Sequence, residues 1–203
     1  MFVIGLTGGI ASGKSTISSM LRKMGLPIVD ADVISRRVVE MGSPVLERIK
    51  SEFGEGVISP EGALDRKALG QLVFNDSEKL KLLNSITHPA IIEEINRDIN
   101  ALSARGEMLC VLDAPLLIES GINGMADRVV LVYADSKSQV SRLMERDNIS
   151  RVLALKKISS QMDFEEKRKY ADYVIDNSGS LDNTRSQLEK VINAIRCLEE
   201  CNG

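Results

Sequence analysis

The sequence predicts an α/β fold, three layers built around a parallel β-sheet. Apolar runs at Phe2–Leu6, Met108–Leu112, Val129–Val132 and Tyr173–Ile175 are continuous, as in strands covered on both faces. Between them lie segments with apolar residues at helical spacing, such as Ile17, Met20, Leu21 and Met24 at i, i+3, i+4 and i+7. With 203 residues, 43% of them apolar, the chain suits one α/β domain with inserted lobes.

The first strand runs into Thr7-Gly8-Gly9-Ile10-Ala11-Ser12-Gly13-Lys14-Ser15-Thr16, in which Gly8, Gly13, Lys14 and Ser15 match G-x-x-x-x-G-K-[ST]. Glycine allows the tight turn, so that backbone N–H groups can wrap a triphosphate. Lys14 brings a point charge to the phosphates, the Ser15 hydroxyl can ligate Mg²⁺, and the following helix contributes the positive end of its dipole. A bare match of this length arises by chance, but one set between a strand and an amphipathic helix is the P-loop context. The fold expected is therefore of the P-loop NTPase type, and ATP is expected on Gly8, Gly9, Ile10, Ala11, Ser12, Gly13, Lys14, Ser15 and Thr16.

Pro27-Ile28-Val29 reads as a short strand delivering Asp30-Ala31-Asp32 to its carboxyl end. In an extended segment Asp30 and Asp32 share a face, and either could accept a proton from a substrate hydroxyl or cap the helical run beginning at Val33. Asp32 is the better candidate for the base. Residues 43–99 read as successive helices, opened by Ser43 with Pro44 at the first helical position and separated at Gly54, Gly62, Asn75-Asp76 and His88-Pro89. His88, the only histidine, stands where proline is expected to force the chain out of the helix, either exposed to a ligand or packed at the junction.

Asp113, at the end of the 108–112 strand, fits the acidic position that holds Mg²⁺ directly or through water; the alternative is a cap for the segment from Pro115. Glu119 could reach the same cleft or face solvent. After the Val129–Val132 strand, Asp135 is placed to cap a helix with core residues Val140, Leu143 and Met144. Arg142 and Arg146, four apart, share another face of it, followed by Arg151, Lys156 and Lys157. Beside a P-loop, these charges read as a mobile arginine lid closing on the triphosphate. Asp163 to Glu166 resembles a capping box. Asn177, after the last strand, could edge the adenine or serve an ordinary turn. A closing helix should pack Leu181, Leu188, Val191, Ile192, Ile195 and Leu198 on the sheet.

The formal charge of -3 offers no bulk positive field for nucleic acid, and no apolar run approaches the roughly 20 residues of a membrane span. No secretory leader pattern follows Met1, so a cytoplasmic protein is expected, monomeric or weakly self-associating. Cys110, Cys197 and Cys201 lack metal-site spacing and read as buried or idle thiols.

Several separated stretches together resemble the dephospho-coenzyme A kinases. They are Gly5–Ser15, Asp30–Asp32, Leu64–Arg66, Asn84–Pro89, Asp113–Glu119, Arg142–Asp147, Gln161-Met162 and Ala171–Asn177. The resemblance implies transfer of the ATP γ-phosphate to the ribose 3′-hydroxyl of dephospho-coenzyme A, with Mg²⁺. It also implies Asp32 as catalytic base, Lys14 and Ser15 as phosphate and metal contacts, and Arg142 as the lid arginine. Acceptor contacts are expected from Asp32, Arg36, His88, Leu116 and Leu117. The domain plan is a core of about 1–32, 105–141 and 168–203, an all-helical acceptor-binding insert of about 33–104, and a helical lid of about 142–167. Another small-molecule kinase of this architecture is the nearest rival. A GTP switch would need an Asn-Lys-x-Asp guanine reader, which the chain lacks.

Overall fold

A computed structural model describes residues 1–74 and 76–202, without the side chains of 200–202, so Asn75 and the Cys201 thiol lie outside the described residues. The chain divides into two compact units, residues 1–29 with 102–203, and residues 30–101.

The first unit is built on a five-stranded sheet in the order β2-β3-β1-β4-β5, from β1 (Phe2–Gly8), β2 (Ile28–Asp30), β3 (Leu109–Asp113), β4 (Arg128–Tyr133) and β5 (Tyr173–Asp176). β1 pairs in parallel with β3 and β4, and β4 with β5. Because β1 lies centrally, with later strands added on both sides, its carboxyl end is the switch point where such sheets open a crevice. The loop of Gly8–Ser15 leaves from that point. Alternate residues explain the layering. Ile4 and Leu6 join Val111, Val130, Val132 and Ile175 in a core closed by Ile17 and Leu21 of α1 (Lys14–Lys23) and by Leu188, Ile192 and Ile195 of α9 (Leu181–Asn202). Leu181 departs from the expected apolar face of α9: it starts the helix and is mostly exposed.

On the opposite sheet face Gly5 makes room for Leu117. A Cβ at position 5 would lie 2.7 Å from Leu117 Cδ2 and 3.0 Å from Ala126 Cβ. Leu117 is fully buried, so it is a core residue and not the acceptor contact expected of it; Leu116 turns outward. The rest of this unit is α6 (Ser136–Asp147), α7 (Arg151–Ser159) and α8 (Phe164–Arg168), capped by the side chains of Asp135, Ser150 and Asp163. The stretch 142–167 therefore starts in the middle of α6 and ends in α8.

The second unit is helical: α2 (Ala31–Arg37), α3 (Pro44–Phe53), α4 (Arg66–Val73) and α5 (Ser77–Ala104). Asp30 caps α2, its Oδ1 accepting from the N–H groups of Asp32 and Val33. Ala31 is thus already helical, and Asp30 and Asp32 do not share an extended face. The expected break at His88-Pro89 is also absent: α5 continues through Pro89 for 28 residues. Proline removes one hydrogen bond from a helix. Burial of Ile86 before it and Ile95 after it holds the two halves as one rod.

Leu117→Ala should lower the unfolding free energy by about 3 kcal/mol, because the cavity beside Gly5 cannot collapse onto a side chain. Leu116→Ala should change it by less than about 0.5 kcal/mol. Urea titration of both variants checks the pair.

Candidate active site

The loop after β1 forms one wall of a cleft of about 630 Å³, lined by Gly8–Thr16 together with Pro115, Arg142, Glu145, Arg146 and Gln161. Gly13 is the N-cap of α1 at φ 91°, a left-handed conformation, and offers no side-chain cap to the helix. Among the described residues, the N–H groups of Ala11, Gly13, Lys14 and Ser15 have no intramolecular hydrogen-bond partner, while Ser12 N–H donates to Gly9 O and Thr16 N–H to Gly13 O. A helix start left in this way presents donors and a positive dipole end to an anion.

Everything around the loop holds it in that shape. Asn177 is almost wholly buried, with Nδ2 donating to Ser12 O at 2.8 Å and Oδ1 accepting from Thr184 Oγ1 at 3.1 Å. A Cβ at Gly13 would fall 1.9 Å from that Nδ2, so glycine is required there by the close approach as well as by φ. This side chain braces the loop from behind, a different task from the adenine edge expected of it, since both ends of its amide are engaged. Arg142 reaches the same place: Nη2 donates to Asn177 O at 2.8 Å and Nη1 to Ser12 O at 3.4 Å. Gln161 Oε1 accepts from Ile10 N–H at 2.7 Å, and Gln139 Nε2 donates to Ile10 O at 2.9 Å. Gln139 carries no sequence signal, because a polar residue near the start of an amphipathic helix looks like any solvated position.

Asp113, at the end of β3, is buried and accepts a hydrogen bond from Lys14 Nζ. The carboxylate holds the ammonium at the base of the cleft. Thr7 Oγ1 donates to Pro115 O at 3.0 Å, which ties the end of β1 to the segment following Asp113. Glu119 pairs instead with Lys167, whose side chain is buried, at 2.7 Å. The Ser15 residue is exposed. Burial pushes the Cys110 thiol up to about 11, so it stays protonated and serves as a small apolar residue of β3.

Asp32, Arg36 and His88 belong to the helical unit. Asp32 is exposed in the first turn of α2, where its carbonyl accepts from Ser35 Oγ. Arg36 lines a cleft of about 410 Å³ with Val39, Met41, Leu64 and Arg66. His88 is half-buried in the middle of α5.

Arg146, on the cleft wall, donates through Nε to Asp147 at 2.8 Å, and Lys157 Nζ reaches the same carboxylate at 2.9 Å. The Arg146 guanidinium, then Lys157, holds the Asp147 carboxyl down to about 2. A depressed folded value means that the stabilisation is present above the ordinary aspartate range and is lost as pH falls through about 2. Lys157→Ala should move the Asp147 midpoint upward, as read by carboxyl carbon chemical shifts between pH 1.5 and 6.

A sequence profile of the dephospho-CoA kinase family matches residues 2–183. A dephospho-CoA kinase of Halalkalibacterium halodurans is 46% identical over 198 residues, spanning 98% of both chains. A solved structure from Thermus thermophilus superposes with a TM-score of 0.84 at 38% identity, covering 95% of this chain and 96% of that one. The dephospho-CoA kinase from Campylobacter jejuni gives 0.72 at 32% identity, covering 99% and 98%. With a profile and full-length relatives agreeing on a chain that carries a P-loop at the switch point of its sheet, this protein belongs to the dephospho-CoA kinase family.

Proposed function

We propose that this chain transfers the γ-phosphate of ATP to the ribose 3′-hydroxyl of dephospho-CoA, giving CoA and ADP, the last step of coenzyme A synthesis. The observation that carries the reading is the set of partnerless N–H groups on Ala11, Gly13, Lys14 and Ser15 at one end of α1, in a chain of this family. Phosphoryl transfer needs positioning and charge stabilisation more than covalent chemistry, and such a cradle supplies both.

Each group then has one task. The loop amides and Lys14 hold the β- and γ-phosphate oxygens, with Lys14 passing from Asp113 to phosphate as the nucleotide arrives. Arg142 neutralises charge that grows on the transferred group, and Arg146 adds a second positive charge from the cleft wall. Asp32 accepts the proton of the attacking hydroxyl, a task open to a carboxylate at the start of α2. The Ser15 hydroxyl, and the Asp113 carboxylate directly or through water, would hold Mg²⁺, since hard oxygen donors suit this ion. When bound, such an ion would offset negative charge on the phosphates. Residues 142–167 act as the lid, and the helical unit supplies the acceptor contacts, with Arg36, His88 and Leu116 as candidates. We place the protein in the cytoplasm, acting as a monomer or weak homo-oligomer. Among the described residues no helix is long and apolar enough to cross a membrane.

A coupled ADP-release assay with Mg²⁺-ATP tests the reading, comparing dephospho-CoA, adenosine, AMP and no acceptor. Fast release with dephospho-CoA alone, and a product carrying a 3′-phosphate, is the expected result; equal release with another acceptor overturns it. Asp32→Asn should lower kcat roughly 10²-fold or more while ATP affinity survives. Unchanged turnover would remove Asp32 from the role of base.

A further inference from the structure

Ile10 is gripped more completely than any catalytic task of its own would require. Its N–H donates to Gln161 Oε1 and its C=O accepts from Gln139 Nε2. Its side chain, with that of Ala11, packs on the small core of Val140, Leu143 and Ala154, joined by Met144, Ile149 and Ile158. The tip of the P-loop is thereby part of the hydrophobic core of α6 and α7. The two glutamines come from different places in the chain, one in the second turn of α6 and one just beyond α7.

The geometry of the peptide unit gives this grip a consequence. In a trans peptide the C=O and the following N–H point in opposite directions. Gln139, by holding the Ile10 carbonyl, therefore turns the Ala11 N–H away from itself. That N–H is one of the donors without an intramolecular partner, and Ala11 lines the cleft. Ala11 also sits at φ 58°, a left-handed conformation that a residue with a Cβ adopts only when its surroundings hold it there. Gly9 leaves space for the clamp, since a Cβ at that position would lie 2.9 Å from Gln139 Nε2.

We propose that Gln139 and Gln161 are positioning residues that clamp the two peptides flanking Ile10, hold Ala11 in its left-handed conformation, and so aim the Ala11 N–H at a nucleotide phosphate. The inference rests on the reading of the cleft as the ATP site, and it adds two residues that act through the backbone of Ile10. Gln161 works through its oxygen and Gln139 through its nitrogen, so glutamate substitutes for the first and not for the second.

The test combines amide hydrogen exchange, read by NMR on the ligand-free protein, with calorimetric ATP binding and steady-state kinetics. Gln161→Leu should speed exchange of the Ile10 N–H at least tenfold while the β3 amides of Val111 and Leu112 keep their rates. Gln161→Glu should leave the Ile10 N–H protected. Gln139→Leu and Gln139→Glu should each weaken ATP binding and raise the KM for ATP about tenfold, with the KM for dephospho-CoA changed less than twofold. Because both glutamines hold one segment, the double Leu variant should lose far less than the product of the single losses. ATP affinity within twofold of the parent in both Leu variants overturns the proposal, as do losses that multiply in full. So does an Ile10 N–H that exchanges as fast in Gln161→Glu as in Gln161→Leu. If the parent binds ATP but phosphorylates no dephospho-CoA, the acceptor reading fails and the exchange and binding measurements still decide the clamp.

Discussion

A loop that binds phosphate through its backbone must leave N–H groups without partners, and a loop without internal partners has little to hold its shape. This constraint organises the sheet unit. The donors of Ala11, Gly13, Lys14 and Ser15 are kept open, and their carbonyl neighbours are tied down instead. Ser12 O is held by Asn177 and Arg142, Ile10 O by Gln139, and the Ile10 N–H by Gln161. The rigidity that secondary structure supplies elsewhere comes here from side chains belonging to the turn after β5, to α6 and to the segment beyond α7. A pre-formed cradle costs no reordering when the anion arrives, and that is the advantage of so many ties.

The same residues join the cleft to the rest of the unit. Arg142 contacts the backbone of both Ser12 and Asn177, and Lys14 is held by Asp113. Both cations therefore have protein partners at the cleft. The core of Val140, Leu143 and Ala154 packs directly against Ile10 and Ala11 of the loop itself. The loop is thus tied to α6 and α7 through packing as well as through hydrogen bonds.

Much of this was legible from residue order. The strands β1, β3, β4 and β5, the helix after the P-loop, and the caps at Ser43, Asp135 and Asp163 follow from local pattern, since each depends on residues within a few positions of one another. Expectations failed where the deciding partner was distant or where packing overrode a local rule. Pro89 does not end α5, because burial of Ile86 and Ile95 outweighs one lost hydrogen bond. Leu117 looked like a surface partner for an acceptor, yet it fills the space that Gly5 leaves empty, more than a hundred positions earlier in the chain. Asn177 looked like turn chemistry or an adenine contact, and its amide proved to be engaged with Ser12 and Thr184.

By itself the sequence determined that the chain carries a phosphate loop between a buried strand and an amphipathic helix, that further parallel strands surround it, and that carboxylates stand at strand ends. Those features are set by spacing along the chain, and spacing survives without coordinates. Only the tertiary structure decided which side chains converge on the loop from far away. Gln139, Gln161, Arg142 and Asn177 reach residues 10–12 across separations of 129 to 165 positions. No local periodicity encodes such contacts, because they depend on the order in which the strands are laid into the sheet and on the faces that α6 and α7 bury against each other and against Ile10 and Ala11.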